Sequence, residues 1–181
     1  MLNFPKLRFV ALSLLLLGLA GCGSTPAERS KTLVTEANTL LRRDTEVTEA
    51  WSREFSQVFT PEHRAQFPSN RDWLISRSEK IIALLDESAR LGNEAAAKFE
   101  EASRLMGKDQ DKKGMELIAG ALRKDVELGQ LFKALAQLAS DRTITDAKSL
   151  NERFDHLTSL YREKRKETDE QLAEGKRLLR W

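Results

Sequence analysis

Residues 71–106 read RDWLISRSEKIIALLDESARLGNEAAAKFEEASRLM, and this stretch decides the fold. Its seam positions are spaced alternately four and three residues apart: Leu74, Ser78, Ile81, Leu85, Ser88, Gly92, Ala95, Phe99, Ala102 and Met106. A seam of this kind that persists for more than four heptads is typical of a long helix in a bundle or coiled coil. Gly107 follows the seam, as expected where a helix ends.

Three further long helices are predicted on either side of this one. The first covers residues 27–59, where apolar side chains such as Leu33 and Ala37 recur every three or four positions. Another covers residues 114–140 and carries a wide apolar stripe. The last begins at Thr145 or at Ser149, which with Glu152 fits a capping box.

The fold class predicted from these helices is all-α. Only four Pro and nine Gly interrupt the 181 residues, and the β-branched runs typical of strands are missing. Short links favour antiparallel neighbours, so we expect an elongated up-down-up-down four-helix bundle. The alternative is a pair of long helical hairpins that complete a core by dimerising.

The second half of the last helix departs from the apolar pattern. Residues 162–171 include no apolar side chain, and Lys164 and Thr168 stand where the seam continues from Tyr161. Such positions do not drive burial, although Lys stems can cover apolar neighbours. We therefore expect this half to be the loosest part of the bundle.

The N-terminus has the order of a secretory signal. Lys6 and Arg8 precede a stretch of mainly apolar residues that starts at Phe9. At ~12 residues, this stretch is shorter than the ~20 that a permanent membrane-spanning helix needs. The tetrapeptide Leu19-Ala20-Gly21-Cys22 follows and resembles the lipobox of bacterial lipoproteins.

The lipobox resemblance implies a processing event and a location. Residues 1–21 are expected to be a cleaved signal peptide, with the Cys22 thiol as the acceptor of the lipid. Residues 22–26 then form the lipidated end with a short tether, and residues 27–181 form the helical domain. An Asp directly after the cysteine would imply retention in the inner membrane. Gly23 and Ser24 stand there instead and imply the periplasmic face of the outer membrane.

Charge and motif content disfavour several function classes. Without Lys6 and Arg8, the 30 Lys and Arg fall to 28 and equal the 28 Asp and Glu, so nucleic acid is not an expected partner. Cys22 is the one cysteine, and the two histidines, His63 and His156, lack metal-ligand spacing. No nucleophile motif or phosphate loop occurs. We expect no enzyme, no catalytic residues, no cofactor and no metal.

Two groups of residues are candidate contact surfaces. The first is aromatic and lies around the first turn region: Trp51, Phe55, Phe59, Phe67 and Trp73. These side chains either plug one end of the bundle or form a partner surface, since aromatic residues are enriched in interface hot spots.

The second group lies at the C-terminal tip and consists of Leu178, Leu179 and Trp181, beside basic residues. The fourth helix of such a bundle returns to the lipidated end, so this group is a candidate membrane contact. The alternative is that Leu178 and Leu179 close the bundle against Leu33.

A short segment at residues 59–64, FTPEHR, resembles the LTxxQ motif of the Spy/CpxP family of periplasmic stress chaperones. Phe59 replaces the Leu of that motif and His63 replaces its Gln. Residues 144–148 carry a second, less complete version that ends in Lys148.

Three functions follow from these patterns, in order of preference. The first is a non-enzymatic outer-membrane lipoprotein whose helical domain binds or helps to assemble another envelope protein. The second is a periplasmic chaperone or carrier that sequesters apolar segments. The third is a metal-binding protein or an enzyme of unknown kind. The sequence leaves open whether the chain forms a homo-oligomer.

Replacing the lipid acceptor tests the anchoring hypothesis. The variant Cys22→Ala is expected to accumulate as an unprocessed or soluble form, because no other side chain supplies the thiol that takes up the lipid. Metabolic labelling with a radioactive fatty acid measures this directly. Label retained by the variant would overturn the lipoprotein interpretation.

Overall fold

The computed structural model describes residues 25–180, so residues 1–21, which are the expected signal peptide, lie outside the described residues, as do Cys22 and Trp181. Helices joined by short turns make up nearly all of this range, and no strand occurs within it, which confirms the all-α class. The helices are α1 (Pro26–Val58), α2 (Pro61–Ala65), α3 (Arg71–Arg104), α4 (Asp109–Gln137) and α5 (Ala147–Leu179). A 3-10 turn, Leu138–Ser140, continues α4.

The start of α1 is fixed by a capping box. The Thr25 hydroxyl accepts a hydrogen bond from the Glu28 backbone N–H at 3.2 Å, and the Glu28 carboxylate accepts one from the Thr25 N–H at 2.8 Å. Pro26 occupies the first helical position. Thr25 and Pro26, which the sequence assigned to the tether, therefore belong to the start of the helix.

Two other helix starts differ from the sequence prediction. Asp146 caps α5 by accepting a hydrogen bond from the Ser149 N–H at 2.8 Å, so the expected cap at Ser149 is wrong. Helix α4 begins at Asp109, five residues before the expected Gly114. Acidic side chains at Asp109 and Asp111 favour this earlier start because they lie at the positive end of the helix dipole.

The segments that resemble the chaperone motif are both helix starts. The Thr60 hydroxyl accepts a hydrogen bond from the His63 N–H at 3.1 Å and so caps α2. In the second segment Asp146 is the cap of α5. In both places a short polar side chain stands directly before a helix, as capping requires.

Each long helix packs along its length against the next long helix, in the opposite direction. Between α1 and α3, Arg29 near the start of α1 pairs with Glu101 near the end of α3 at 3.4 Å. At the other end of this pair, Glu54 accepts from Arg77 at 3.0 Å. Further contacts give the same sense for α3 with α4 (Arg123–Glu100 and Lys133–Asp86) and for α4 with α5 (Gln110–Leu178 and Arg165–Asp125).

Two separate apolar clusters stabilise this packing, and both form within one chain. The aromatic core includes Trp51, Phe55, Val58, Phe59, Phe67, Leu74, Ile81, Leu85, Phe132, Leu135, Leu138, Ile144, Leu150 and Phe154. The alanine-rich core consists of Leu33, Val34, Ala37, Leu41, Ala95, Ala96, Phe99, Ala102, Met115, Ile118, Ala119 and Leu122. Because one chain buries both, dimerisation is not needed to complete them.

The second half of α5 is packed through small and polar side chains. Thr168 is 3% exposed and donates to the Lys164 carbonyl, and Gln171 donates to the Leu117 carbonyl at 3.2 Å. At Gly175 the backbones of α5 and α4 approach closely, since a Cβ there would lie 3.1 Å from the Gly114 carbonyl oxygen. The segment expected to be loosest therefore has a defined interface with α4.

Two glycines give a matched test of this close approach. Gly175→Ala should lower the free energy of unfolding by about 1–3 kcal/mol, because the new methyl meets backbone atoms that cannot move aside. Gly129→Ala in α4 should raise it by about 0.5–1 kcal/mol, because its Cβ meets nothing within 4 Å and alanine favours helix. Urea unfolding of both variants measures the difference. Equal changes would contradict the close approach of α4 and α5.

Candidate functional site

A cavity of about 580 Å³ lies between the aromatic core and the alanine-rich core. All four long helices contribute to its wall. The exposed residues Glu49 and Arg53 of α1 border it, so the cavity is open to solvent on this side. The polar groups, rings and small residues of the wall include Asp44, Thr48, Trp51, Ser88, Gly92, Asp125, Gly129, Phe132, Tyr161 and Arg165.

Small residues of α3 and α4 line the cavity, although Val126 fills the place beside Gly92, with its Cγ2 2.9 Å from where a Cβ would lie. Ser88 and Gly92 occupy consecutive seam positions of α3, where bulky apolar residues would fill the centre of a bundle. Gly129 lines the cavity from α4, with nothing within 4 Å of the place where a Cβ would lie. The two cores are consequently separated at the middle of the molecule.

Asp44 is the buried acid of α1 in this wall. Asp44 is 8% exposed, and its Oδ1 accepts a hydrogen bond from the Ser88 hydroxyl at 2.5 Å. Thr48 lies one turn further along α1, with its hydroxyl 3.5 Å from the same Ser88 hydroxyl. Ser88 is the one hydrogen-bond partner of the Asp44 side chain that residues 25–180 supply.

Arg165 brings a positive charge into the wall from α5. Its guanidinium contacts Asp125 of α4 at 2.6 Å and Asp169 of α5 at 2.8 Å, and its side chain is 13% exposed. Its Nε is buried and has no hydrogen-bond partner within the described part of the chain. The positive charge is therefore balanced by two carboxylates, while one donor stays unused.

Burial changes the acidity of both wall carboxyls. Loss of solvent raises the pKa of Asp44 to about 6, the hydrogen bond from Ser88 opposes the rise, and the charge of Asp125 adds to it. Burial also raises the pKa of Asp125, against the attraction of Arg165. Asp44 thus changes its charge just below neutral pH.

Aromatic rings form the end of the cavity nearest the aromatic core. The ring centroids of Trp51 and Phe132 are 4.7 Å apart, and those of Phe132 and Tyr161 are also 4.7 Å apart, edge to face. All three side chains line the cavity. Apolar faces and a small number of polar groups are the usual lining of a site for a small molecule.

The structure separates the five residues of the candidate aromatic surface. Trp51, Phe55, Phe59 and Phe67 are each at most 7% exposed and belong to the aromatic core. Phe55, Phe59 and Phe67 are enclosed as the alternative of an aromatic plug requires, and Trp51 lines the cavity, so the five residues do not form one exposed surface. Trp73 alone of the five is exposed, at 42%.

The C-terminal residues lie at the alanine-rich end. Leu179 is half-buried and packs against that core, with its side chain directly over Gly114. Leu178 is also half-buried, and its carbonyl accepts a hydrogen bond from Gln110 at 2.8 Å. Closure of the bundle accounts for Leu179, and Trp181 lies outside the described residues.

Sequence reasoning did not single out the charged residues of the cavity wall. Asp44, Asp125 and Arg165 stand among many other charged residues, and their burial depends on how four helices meet. Two signals were present nevertheless. Ser88 and Gly92 are two small residues at consecutive positions of the seam, and residues 162–171 have no apolar side chain although they follow the seam residue Tyr161.

Comparisons with known proteins add no relative: no family model, curated protein or solved structure matches this chain. Within residues 25–180, no three His, Cys, Asp or Glu side chains are grouped so as to hold a metal ion. None of the described helices is both long enough and apolar enough to cross a bilayer.

The raised pKa of Asp44 predicts a pH-dependent stability. The folded state keeps this proton up to about pH 6, whereas the unfolded chain releases it near 3.8, so Asp44 lowers the folding stability as pH rises between these values. At pH 8, Asp44→Asn should therefore unfold at a higher urea concentration than the parent. Its free energy of unfolding should be higher by about 1–3 kcal/mol.

The same comparison at pH 4 is the control, because the parent side chain is then neutral in the folded state and the difference should shrink. A difference that is independent of pH would show that Asp44 is not buried as described.

Proposed function

We propose that this chain is a non-enzymatic binding protein, anchored by acylated Cys22 at the periplasmic face of the bacterial outer membrane, that carries an amphipathic molecule or apolar segment. The cavity of about 580 Å³ is the observation that supports this role. Its volume lies within the ~300–1,000 Å³ of typical ligand sites, and its wall combines rings with a few polar groups.

The proposed architecture is an up-down-up-down four-helix bundle made of α1, α3, α4 and α5. The alternating direction of neighbouring helices supports it. Leu33 of α1 and Leu179 of α5 contribute to the same core, so α1 begins and α5 ends at one end of the described structure. Thr25 follows Cys22 by three positions in the sequence, and the far end of α1 would then stand about 50 Å from the lipid, at 1.5 Å per residue.

A second role, docking of an envelope protein, is favoured by the surface around Trp73. The exposed Trp73 ring lies 4.6 Å from the ring of His63, at the turn between α2 and α3. Nearby in the chain, the guanidinium groups of Arg64 and Arg71 lie over the rings of Phe154 and Phe67, at 4.0 and 4.7 Å from the ring centroids. Trp73 is the exposed ring that a partner would contact, and tryptophan is enriched in interface hot spots.

Two variants of the full-length lipidated protein distinguish these roles: Gly129→Leu tests the cavity, and Trp73→Ala tests the exposed surface. Gly129→Leu should fill the cavity and remove small molecules that co-purify with the protein, because only open space surrounds that Cβ. Ala97→Leu, on the exposed face of α3, is the matched control and should retain them. Mass spectrometry of organic extracts measures the bound molecules.

Trp73→Ala should leave the co-purifying molecules unchanged and should reduce recovery of a cross-linked envelope partner. The carrier role is contradicted if the parent and Gly129→Leu carry the same small molecules. The docking role is contradicted if Trp73→Ala recovers the same partner in the same yield as the parent.

A further inference from the structure

We infer that the occupant of the cavity is an amphipathic cation, with an amine that pairs with Asp44 and an apolar body that lies against Trp51, Phe132 and Tyr161. This inference rests on the proposed carrier function and adds the chemical class of the ligand. It comes from the charge that the cavity wall leaves unbalanced.

The charged groups inside the cavity carry an excess negative charge. The exposed Glu49 and Arg53 at the rim balance each other, and within the cavity Asp44 and Asp125 contribute two carboxylates against the one guanidinium of Arg165. Arg165 is already paired with Asp125 and with Asp169 outside the wall. Asp44 therefore faces the cavity with a hydroxyl as its only partner within the described residues.

A buried carboxylate that is held by a single hydroxyl is an unfavourable arrangement unless another group compensates it. Within residues 25–180, neither Arg53 nor Arg165, the two cationic residues that line the cavity, forms an ion pair with Asp44. A ligand ammonium group would supply the missing charge and up to three donors for the free acceptor sites of the carboxylate. The wall thus selects a cation.

An anionic ligand fits the same wall poorly. It would have to use Arg165, which has a spare Nε but whose charge is shared between two acids at 2.6 and 2.8 Å. It would also place a negative charge in the same cavity as Asp44 and Asp125. Repulsion by these carboxylates is stronger in a buried site than in water.

The rings of the wall favour the same class. Aromatic faces attract cations through the negative charge above the ring plane. The Phe132 ring centroid lies 4.7 Å from that of Trp51 and 4.7 Å from that of Tyr161, and all three residues line the cavity. They can cover an apolar chain as well as the flank of an amine.

The experiment compares hexylamine, hexanol and hexanoate, which share one apolar chain and differ in the head group. Each is titrated calorimetrically into the full-length protein in lipid nanodiscs at pH 7.5, with empty nanodiscs as the blank. We expect hexylamine to bind at least about tenfold more tightly than hexanol, and hexanoate to bind the weakest.

Asp44→Asn should abolish the preference for the amine over hexanol, because it removes the charge and keeps the shape. The control Asp155→Asn removes an exposed carboxylate of α5 that does not line the cavity, and it should keep the preference. Preserved preference in Asp44→Asn would overturn the inference.

The pH dependence gives a second readout of the same group. Ser88 of α3 donates to Asp44 and the charge of Asp125 of α4 acts on it. The other titratable groups that line the same cavity are Arg165 and Tyr161 of α5 and Glu49 and Arg53 of α1. With the pKa of Asp44 raised to about 6, lowering the pH from 7.5 to 5 should weaken hexylamine about tenfold. Asp44→Asn should lose this dependence.

The outcomes separate the inference from the function on which it rests. Equal affinity for the three compounds, or a preference for hexanoate, contradicts the cationic ligand but leaves the carrier function standing, provided that Gly129→Leu abolishes the binding. If none of the three compounds binds to the folded parent, the cationic ligand is contradicted, and the carrier function is contradicted as well only if the parent and Gly129→Leu carry the same co-purified molecules.

Discussion

Arg165 reaches from α5 to Asp125 on α4, and the structure of the middle of the molecule depends on this ion pair. Two charges placed there cannot be surrounded by leucine side chains without a large desolvation cost. Their neighbours on the facing helices are accordingly small or polar, as at Ser88 and Asp44. The interior of the molecule is therefore divided into two apolar cores, and the cavity with its charged groups lies between them.

This division assigns different tasks to different parts of the chain. The aromatic core and the alanine-rich core supply the burial that stabilises the fold, with residues such as Ile81 and Phe99 almost fully enclosed. The middle contributes little burial and includes a carboxyl whose ionised form destabilises the folded state. Natural proteins tolerate such local departures from good packing mainly where a site requires them.

The sequence predicted the cores better than the cavity. The seam of α3 was readable because Leu74, Ile81, Ala95 and Phe99 repeat at helical spacing, and all of them are buried. The predicted helix boundaries were wrong where two candidate capping residues lie within a few positions of each other, as with Asp146 and Ser149.

The charged members of the site could not be predicted in the same way. An Asp or Arg on an amphipathic helix usually faces water, and only the three-dimensional contacts show that Asp44, Asp125 and Arg165 face inwards. The same limit applied to the aromatic residues around the first turn. Composition alone does not decide that Phe55 is enclosed while Trp73 is exposed.

The arrangement of α1 and α5 explains how a molecule can reach the cavity. At the aromatic end these helices are joined by the rings of Phe55 and Phe59 on Phe154, with centroids 6.1 Å apart. Further along, the exposed Glu49 of α1 and the half-buried Arg165 of α5 border the cavity. Since each helix satisfies its own backbone hydrogen bonds, widening this edge breaks side-chain contacts only. Entry and exit of a ligand are thus compatible with two intact cores.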